Sequence, residues 1–395
     1  MRIVFTLPTL YPGGAERTVS NLANYWADRG WPVTIMTLNH QNRPAAFPLY
    51  PNVTHRDIAY HESLNRRPPE GELETCLKRI IESSSGPEQA LIRAEWNKLQ
   101  PLRDAMIRAG ADAILCFESA SAMRVLMACG DLDVPIIVSE RSDPHHLLMK
   151  NDAWTALRRR LYLKAAAVVT LTEEGRQYFS GPLEKKCRVI PNFVVKPDPR
   201  QNAPAYARMR QRTVVAMGRL EYVKGFDLLL GAFALIASRH PEWSLHIWGA
   251  GGALAELSAQ ASQLGIQHRV TFAGFTSSPH QSLSEADLFV LSSRYEGFPN
   301  ALCEAMASGL AVVSFDCPSG PRNIIRNGVD GMLVPALSVE ALAEAMGSLM
   351  ADEAQRRTLG SRAAEIVQRF SPEKIMPMWE ELVLSRLPQN TCESC

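Results

Sequence analysis

Long hydrophobic segments are absent from this sequence of 395 residues. No apolar run approaches the ~20 residues that a membrane-spanning helix requires. Residues 1–5 lead directly into a predicted strand, so we expect no signal peptide. This pattern predicts a cytoplasmic protein that contacts a membrane only through its surface.

An excess of charge of one sign is also absent. The chain has 42 basic and 41 acidic residues, a net charge of +1, which gives no signal for nucleic-acid binding. Its eight cysteines lie mostly in apolar runs, as buried free thiols do. Cys392 and Cys395 have the spacing of a metal or redox motif, but they form an isolated pair at the chain end, where a disordered tail is expected.

Two common ligand motifs are missing. The segment Gly249-Ala250-Gly251-Gly252 follows a predicted strand, but its glycine spacing does not match the fingerprint of dinucleotide sites. We interpret it as a turn beside a ligand. No Asp-x-Asp pair is suitably positioned to hold a metal ion, so we expect neither a metal nor another cofactor.

Short apolar runs alternate with helical segments along the chain, a pattern typical of doubly wound parallel sheets. Strands are predicted at 2–7, 33–38, 112–117, 134–139, 167–171, 213–218, 244–248, 270–273, 287–291, 311–315 and 332–334. Residues 196–212 are rich in Pro, Gln, Asn and Arg without apolar periodicity, which indicates a linker.

The sequence therefore predicts an α/β protein with two Rossmann-like domains that face each other across a cleft. The predicted N-terminal domain is 1–196, the linker is 197–212, and the C-terminal domain is 213–371. Residues 372–395 are predicted to form a helix that packs back toward the first domain, followed by a tail.

Residues 293–309 combine several features of a phosphate site. They follow a predicted buried strand and contain the turn Gly297-Phe298-Pro299, then Asn300 as a helix N-cap and a short helix. The N–H groups and dipole of such a helix N-terminus favour a phosphate. Glu296 and Glu304 flank the turn, so the pattern predicts a site for a phosphate-linked sugar; a plain strand-to-helix connection is the alternative.

Two further glycine-containing turns follow predicted strands. Gly13 and Gly14 precede an amphipathic helix, and their backbone can approach a ligand closely. In segment 218–225, Arg219 offers a planar fork of donors and Lys224 a compact charge, both suited to a diphosphate. A connecting turn and a surface cation pair are the respective alternatives.

Basic residues are concentrated in two stretches of the first half. An insertion at about 60–110 has helical parts that carry Lys78, Arg79, Arg93, Lys98, Arg103 and Arg108. The second stretch carries Arg141, Lys150, Arg158, Arg159, Arg160 and Lys164. A solvated charged face is the usual explanation. A basic surface that contacts anionic lipid or a lipid diphosphate is the sharper alternative.

Taken in order and with their spacing, these motifs resemble family 4 of the retaining GT-B glycosyltransferases. The resemblance rests on Gly13-Gly14-Ala15-Glu16, on Gly218-Arg219 with Lys224-Gly225, and on Glu296 with seven residues before Glu304. Shorter segments such as Ser139-Glu140-Arg141 are similar to bacterial enzymes that build lipid-linked oligosaccharides. Among these, the resemblance favours transferases of galactose or GalNAc from UDP-sugars.

The resemblance implies a role for each matching residue. Arg219 and Lys224 would hold the donor diphosphate, and Glu304 would accept hydrogen bonds from the ribose. Glu296 would contact the donor sugar and stabilise positive charge on its ring. The implied donor-binding set is Gly14, Gly218, Arg219, Lys224, Gly274, Phe275, Glu296, Gly297, Phe298, Asn300, Ala301, Leu302 and Glu304. The implied acceptor- or lipid-binding set is Gly13, Arg17, Arg141, Arg158 and Arg159.

Glu118 departs from the family pattern. Many relatives carry a His or Asp after this strand, close to the reacting carbon, whereas this sequence reads Cys116-Phe117-Glu118-Ser119. A carboxylate could still accept a proton or orient an acceptor. Glu118 is therefore a candidate catalytic residue beside Glu296, Arg219 and Lys224.

Together these observations predict a retaining, metal-independent hexosyltransferase. It would move a hexose or N-acetylhexosamine from a UDP-sugar to a polyprenyl-diphosphate-linked saccharide, at the inner face of the cell membrane, in O-antigen or other surface polysaccharide assembly. The alternatives are a lipopolysaccharide-core or soluble acceptor, a non-catalytic nucleotide-sugar binding protein, and a nucleoside-diphosphate-sugar epimerase.

Overall fold

The computed structural model describes residues 1–41, 43–61, 66–146, 152–197 and 212–388. Most of the predicted linker, Lys150 and the pair Cys392 and Cys395 lie outside the described residues. Backbone contacts divide the chain into two compact units. The first unit is Met1–Ile190 with the chain from Pro377 onward, and the second unit is Pro191–Met376. The sequence predicted these two boundaries at 196 and 371.

The first unit contains a sheet of seven parallel strands in the order β3-β2-β1-β4-β5-β6-β7. The strands are β1 (Ile3–Leu7), β2 (Val33–Thr37), β3 (Val53–Asp57), β4 (Ala113–Phe117), β5 (Ile136–Ser139), β6 (Ala167–Thr170) and β7 (Cys187–Val189). Its helices are α1 (Gly14–Asp28), α2 (Gly71–Glu82), α3 (Gly86–Ala109), α4 (Ser119–Cys129), α5 (Asp152–Tyr162) and α6 (Glu173–Gln177).

The second unit contains six parallel strands in the order β10-β9-β8-β11-β12-β13. The strands are β8 (Arg212–Met217), β9 (Trp243–Trp248), β10 (Val270–Gly274), β11 (Leu288–Leu291), β12 (Val312–Asp316) and β13 (Met332–Pro335). The helices are α7 (Phe226–Ala237), α8 (Leu254–Gln263), α9 (Pro279–Ser284), α10 (Asn300–Ala307), α11 (Pro321–Ile324), α12 (Val339–Ala351), α13 (Glu353–Ala363) and α14 (Ile366–Arg369). A last helix, α15 (Pro372–Leu384), begins in this unit and continues into the first one.

Apolar residues explain why the central strands form. All five residues of β1 and of β4 are buried, as expected of parallel strands covered by helices on both faces. Helix α1 buries Val19, Leu22 and Trp26 at 3.6-residue spacing, which confirms the predicted helical face. Each unit thus has its own hydrophobic core, and all eleven predicted strands are present.

Two edge strands, β3 and β7, were not predicted from the sequence. Strand β3 has the sequence VTHRD, and Val53 is its only buried residue. Its apolar content is too low for a strand to be predicted from the sequence. Strand β7 has three residues. Both lie at sheet edges, where a strand packs on one neighbour and needs less apolar surface.

Helix α15 contains Pro377, the residue at which the second boundary falls. Beyond it, Trp379 stacks on Phe117 with ring centroids 6.2 Å apart, and Trp26 Nε1 donates to Glu380 Oε1 at 3.3 Å. The second half of α15 is therefore anchored in the core of the first unit. None of the helices within the described ranges combines the length and apolar character needed to cross a bilayer.

The six cysteines within the described ranges are free thiols, and five of them are buried. Burial raises the pKa of Cys116 to about 12, so this thiol is neutral and unreactive. These residues behave as small apolar core residues, as the sequence predicted.

Candidate active site

The strand order of the second unit creates a crevice between β8 and β11. From β8 the sheet continues to β9 on one side and to β11 on the other. The connections that follow these two strands lead toward opposite edges of the sheet, to β9 and to β12, and ligands of open α/β sheets bind in the crevice at such a point. Residues 218–225 follow β8 and residues 292–299 follow β11, so two predicted motifs meet at this point.

Lys224 and Glu296 form an ion pair in this crevice. The distance from Lys224 Nζ to Glu296 Oε1 is 2.7 Å, and Ser293 Oγ donates to the same oxygen at 2.6 Å. Glu296 is only 8% exposed. The structure thus brings the predicted diphosphate cation and the predicted sugar-contacting carboxylate together.

Gly218 and Gly225 make room for this pair. A Cβ on Gly218 would lie 3.1 Å from Lys224 Cδ, so the lysine stem passes closely over the glycine backbone. Gly225 has φ +61°, and a Cβ there would lie 2.0 Å from the carbonyl oxygen of Ser292. Only glycine allows both this backbone conformation and this approach of the two loops.

Arg294 joins the two loops, a role that the sequence did not reveal. Its guanidinium donates to both carboxylate oxygens of Asp227, at 2.8 and 2.6 Å, and lies 3.8 Å from the centre of the Tyr222 ring. Its backbone N–H donates to the carbonyl of Val223 at 2.8 Å. These contacts fix the loop that carries Lys224 relative to the loop that carries Glu296.

The Asp227–Arg294 pair makes stability depend on pH. Burial acts to raise the pKa of Asp227, but the hydrogen bonds and charge of Arg294 outweigh it and hold that pKa below its ordinary value. The pair therefore stabilises the folded protein fully above the unfolded pKa of about 3.9, and this contribution is lost as pH falls through the folded pKa.

We expect Asp227→Asn to lower the free energy of unfolding at neutral pH, and the difference from the wild type to shrink below about pH 4. Urea titrations at several pH values measure this difference. Since the Asp227 side chain is 40% exposed, high salt is expected to reduce it as well. A difference that is constant with pH would contradict this role.

Arg219 is not brought to the Lys224–Glu296 pair. Its side chain is 62% exposed and pairs with Glu221 at 3.2 Å. Within the described residues, no hydrogen bond or ion pair joins it to Lys224 or Glu296. A ligand would therefore have to draw this flexible arginine inward.

Helix α10 begins at Asn300, directly after the buried turn at Gly297 and Phe298. The prediction of Asn300 as N-cap is wrong, because Pro299 occupies that position. The Asn300 side chain instead accepts a hydrogen bond from Asn192 Nδ2 at 2.6 Å. The positive end of the helix dipole still points into the crevice.

The other predicted residues of this segment divide into core and surface. Leu302 is fully buried and Phe298 packs edge-to-face on Phe370 at 5.3 Å, so only their backbone can meet a ligand. Ala301 and Glu304 are half-buried in the first turns of α10.

The loops after β9 and β10 lie beside the loop after β8. Gly249 N–H donates to the carbonyl of Gly274 at 2.7 Å, and Leu220 N–H donates to that of Ala250 at 3.0 Å. Phe275, at the end of β10, is 46% exposed. An exposed aromatic ring next to these loops offers a stacking surface for a planar group.

The first unit has a corresponding crevice between β1 and β4. Gly13 precedes α1, and a Cβ there would lie 2.2 Å from Glu16 Oε2. Thr18 Oγ1 donates to the carbonyl of Gly14 at 2.9 Å and accepts from Arg141 Nη2 at 3.4 Å. Thr18, which the sequence did not single out, thereby links two predicted site residues.

Glu118 has φ +72°, a conformation that is strained for a non-glycine residue. It follows β4, and its N–H donates to the carbonyl of Ser139 at 3.2 Å. Such strain concentrates at functional sites. Burial lowers the pKa of the nearby Arg141 to about 9, and the negative charge of Glu118 limits this shift. Because this pKa is still above 7, the guanidinium is protonated at neutral pH.

The prediction that Arg158 faces an acceptor or lipid is wrong. Its side chain is 1% exposed, and its Nη1 lies 3.6 Å from Glu140 Oε1. Four aromatic rings surround its guanidinium at 5.2 to 5.9 Å, those of Trp154, Tyr162, Tyr178 and Phe179. Arg158 is a core residue because α5 turns this position inward.

Other predicted basic positions also have internal partners. Arg160 pairs with Glu88 at 2.7 Å, and Arg103 donates to both carboxylate oxygens of Asp131. Arg159 is exposed, although its Nη2 donates to the carbonyl of Tyr178 at 3.0 Å. Arg17 is half-buried, and its guanidinium lies 5.3 Å from the centre of the Phe47 ring. Several cations of the two basic stretches are therefore occupied by partners within the protein.

His40, another residue missed by the sequence, holds the loop between β1 and Gly13. It is fully buried, and its Nδ1 accepts the backbone N–H of Leu10 at 3.1 Å. Tyr11 packs on its ring at 5.1 Å and donates to its backbone carbonyl at 3.0 Å. A lone histidine after a strand gave no specific signal, because its partner lies thirty positions earlier.

We expect His40→Leu to lower the free energy of unfolding by about 1–3 kcal/mol, because the N–H of Leu10 then stays buried without an acceptor. Urea denaturation measures this change. His268→Leu is the control, since His268 is exposed and has no side-chain partner within the described residues. Equal effects of the two variants would contradict the role of His40.

Groups of three or more histidine, cysteine, aspartate or glutamate side chains arranged to hold a metal ion do not occur in the part of the chain that the structure describes. The predicted independence from metal ions stays a prediction.

Comparison with known proteins supports the sequence motifs. Residues 12–195 match the family described as Glycosyltransferase Family 4, and residues 199–366 match Glycosyl transferases group 1. The chain thus combines a family 4 domain with a group 1 domain of the glycosyltransferases. The predicted resemblance is confirmed. The predicted GT-B fold class, with two Rossmann-like domains, is confirmed as well.

Two relatives and one solved structure illustrate this similarity. An exopolysaccharide phosphotransferase of Streptomyces coelicolor is 37% identical over 229 residues, 56% of this chain and 24% of that protein. The N-acetylgalactosamine-N,N'-diacetylbacillosaminyl-diphospho-undecaprenol 4-alpha-N-acetylgalactosaminyltransferase of Campylobacter jejuni is 26% identical over 249 residues, 61% of this chain and 67% of that protein. HepE of Anabaena in complex with UDP has a TM-score of 0.71 at 20% identity, over 98% of this chain and 100% of that one.

The chain spans less than two thirds of the length of the first curated relatives that it matches. The similarity to HepE shows the fold. Activity, donor and acceptor of this chain are therefore proposed from its own site.

Proposed function

We propose that this protein is a retaining, metal-independent glycosyltransferase. Its donor is a UDP-sugar, with galactose or GalNAc favoured, and its acceptor is a polyprenyl-diphosphate-linked saccharide. The Lys224–Glu296 pair carries the proposal, because it sets a cation and a carboxylate 2.7 Å apart at the switch point of the sheet. A nucleoside-diphosphate sugar offers a partner to each of these groups, the diphosphate to Lys224 and the sugar ring to Glu296.

The names of related proteins agree with this donor and acceptor. The Anabaena protein was crystallised with UDP, and the Campylobacter relative is named as an N-acetylgalactosaminyltransferase of a diphospho-undecaprenol saccharide. The Streptomyces relative is named as a phosphotransferase, but only 24% of its length is matched. We therefore favour glycosyl transfer over phosphoryl transfer.

The proposed reaction is a substitution at the anomeric carbon. The bond from this carbon to the β-phosphate oxygen breaks and UDP departs. The acceptor hydroxyl oxygen bonds to the same face of the ring, and its proton passes to the departing phosphate. Lys224 and Arg219 neutralise the charge that grows on the diphosphate, in the place of a metal ion. Glu296 stabilises the positive charge on the ring.

The remaining site residues bind and orient the substrates in this proposal. Glu304 accepts hydrogen bonds from the ribose, and Phe275 offers a stacking surface for the base. Glu118, held in a strained conformation, orients the acceptor hydroxyl.

A lipid-linked acceptor requires that the protein reach a membrane surface. Membrane association would rely on exposed cations of α2, α3 and α5, such as Arg79, Arg93 and Arg159. Because Arg158 and Arg160 have internal partners, a lipopolysaccharide-core or soluble acceptor remains the second candidate. Binding to anionic vesicles that weakens with salt would favour the lipid-linked acceptor.

UDP release by the purified protein tests the function. UDP-Gal, UDP-GalNAc, UDP-Glc and UDP-GlcNAc are each supplied with and without lipid-diphosphate oligosaccharides, in buffer with or without EDTA. We expect acceptor-dependent release with one donor, unaffected by EDTA, and NMR of the product shows whether the anomeric configuration is retained. Loss of activity in EDTA that added Mg²⁺ restores would contradict metal independence.

The same experiment distinguishes a transferase from a binding protein and from an epimerase. A binding protein would retain the UDP-sugar and release no UDP with any acceptor, including an acceptor pool from cell extract. An epimerase would convert the sugar without dependence on an acceptor. Either result would overturn the proposed transferase.

A further inference from the structure

A second polar cavity lies in the first unit, at the amino ends of its first three strands and so at the opposite end of the sheet from the loops after β1 and β4. Its volume is about 230 Å³. Arg2 precedes β1, Thr34 and Thr54 lie near the starts of β2 and β3, and Arg108 lies in the last turn of α3. The polar side chains that line it are Arg2, Thr34, Asn52, Thr54, Arg56 and Arg108.

The charge of this cavity is entirely positive. Three arginines line it and no carboxylate does. Arg56 and Arg108 make no ion pair or hydrogen bond with their side chains among the residues that the structure describes. The whole chain carries a net charge of only +1, so the three arginines are a local concentration of positive charge. Like charges repel each other, and a bound anion would relieve this repulsion.

Arg2 is held in position. Its Nη1 donates to the carbonyl of Gly110 at 2.7 Å, where α3 ends, and its backbone N–H donates to Asp112 Oδ2 at 2.6 Å. The Asp112 contact is to the backbone and the Gly110 contact uses one guanidinium nitrogen, so further donors of Arg2 stay available. A guanidinium fixed in this way loses little freedom when it binds a ligand.

Neutral donors complete the lining. Thr34 and Thr54 lie directly opposite each other in the parallel register of β2 and β3, and Arg56 follows Thr54 on the same face. Asn52 is oriented by the hydrogen bond from its Nδ2 to the carbonyl of Ala27 at 2.8 Å. Planar guanidinium forks with nearby hydroxyls are the donor set that phosphate oxygens accept from.

We propose that this cavity is a binding site for a phosphate group, separate from the donor site of the second unit. A free phosphate compound and a phospholipid headgroup present the same chemistry. The headgroup is a realistic source because Ile107, the neighbour of Arg108 in α3, is an apolar side chain that is 54% exposed. The site is independent of the transferase reaction proposed above.

The test compares the wild type with the double variant Arg56→Gln/Arg108→Gln. Arg239→Gln/Lys374→Gln removes two exposed cations of the second unit and is the matched control. One arm measures inorganic phosphate binding by calorimetry. The other measures sedimentation with phosphatidylcholine vesicles, with and without phosphatidylglycerol. Thermal unfolding verifies that all three proteins are folded, and the donor site is identical in all of them.

We expect binding to the double variant to be weaker by about tenfold or more, because two charge-assisted donors are lost, while the control binds like the wild type. A loss in the phosphate arm identifies a soluble ligand, and a loss only with phosphatidylglycerol identifies a headgroup. Equal binding by the double variant and the wild type in both arms overturns the proposal. The proposal is also overturned if the control variant loses binding to the same extent, or if the wild type binds neither phosphate nor phosphatidylglycerol vesicles.

Discussion

Glu296→Gln is expected to lower kcat for sugar transfer by about 10²–10³-fold, the usual effect of removing one electrostatic group from a transition state. Glutamine retains the size of the side chain and a carbonyl oxygen that accepts from Ser293, so the crevice keeps its shape. The negative charge beside the sugar ring is lost, and Lys224 loses its counter-charge.

Steady-state assays with the preferred UDP-sugar measure this effect. Because the loss is in the transition state, kcat falls more than KM changes. Glu365→Gln is the matched control, since it removes a half-exposed carboxylate that pairs with Arg326 and Arg362 in the same unit. That variant is expected to keep kcat within about twofold, as surface pairs contribute little.

A Glu296→Gln variant with nearly unchanged kcat would show that the carboxylate charge does not act on the ring. The Lys224–Glu296 pair would then be a structural ion pair, and the proposed mechanism would lose its central group. If kcat does fall, a thermal unfolding scan shows whether the variant is still folded.

Gly249→Ala is expected to lower the free energy of unfolding of the second unit by about 2–5 kcal/mol. Gly249 has φ +148°, which L side chains rarely adopt, and a Cβ would lie 1.8 Å from the carbonyl oxygen of Gly218. The clash is with backbone, so it cannot be relieved by rotating a side chain. The loop that carries Lys224 must shift, and affinity for UDP is expected to fall with stability.

Gly252→Ala provides the control for this variant. Gly252 lies three residues further along the same turn and has no positive φ, and a Cβ there would meet no heavy atom within 4 Å. Its replacement is expected to change stability by no more than about 0.5 kcal/mol. Urea denaturation and UDP titration of both variants make the comparison, and similar results for the two would refute the backbone clash.

The elements of the fold could be predicted where apolar pattern alone decides them. Strands such as β1 and β4 are buried along their full length, so their sequences are continuous apolar runs. The edge strand β3 could not be predicted, because most of its side chains are polar and pairing with β2 maintains it.

The site was predicted in part. The glycine-containing turns and the charged residues around them were recognisable because ligand contact there requires glycine, a helix N-terminus or a cation. The pairing of Lys224 with Glu296 could not be predicted from the sequence. The two residues are 72 positions apart and meet only because of the strand order. The same holds for Thr18 and Arg141, which are 123 positions apart.

The sequence by itself determined that the chain forms two α/β units with a ligand-binding turn after particular strands, because hydrophobic periodicity and glycine positions are local properties. Only the tertiary structure decided which charged groups face a ligand. Arg158 is buried against Glu140 while Arg159, next to it, is exposed. Helix rotation and the partners of each helix set that difference, and neither is encoded in the local pattern of charge.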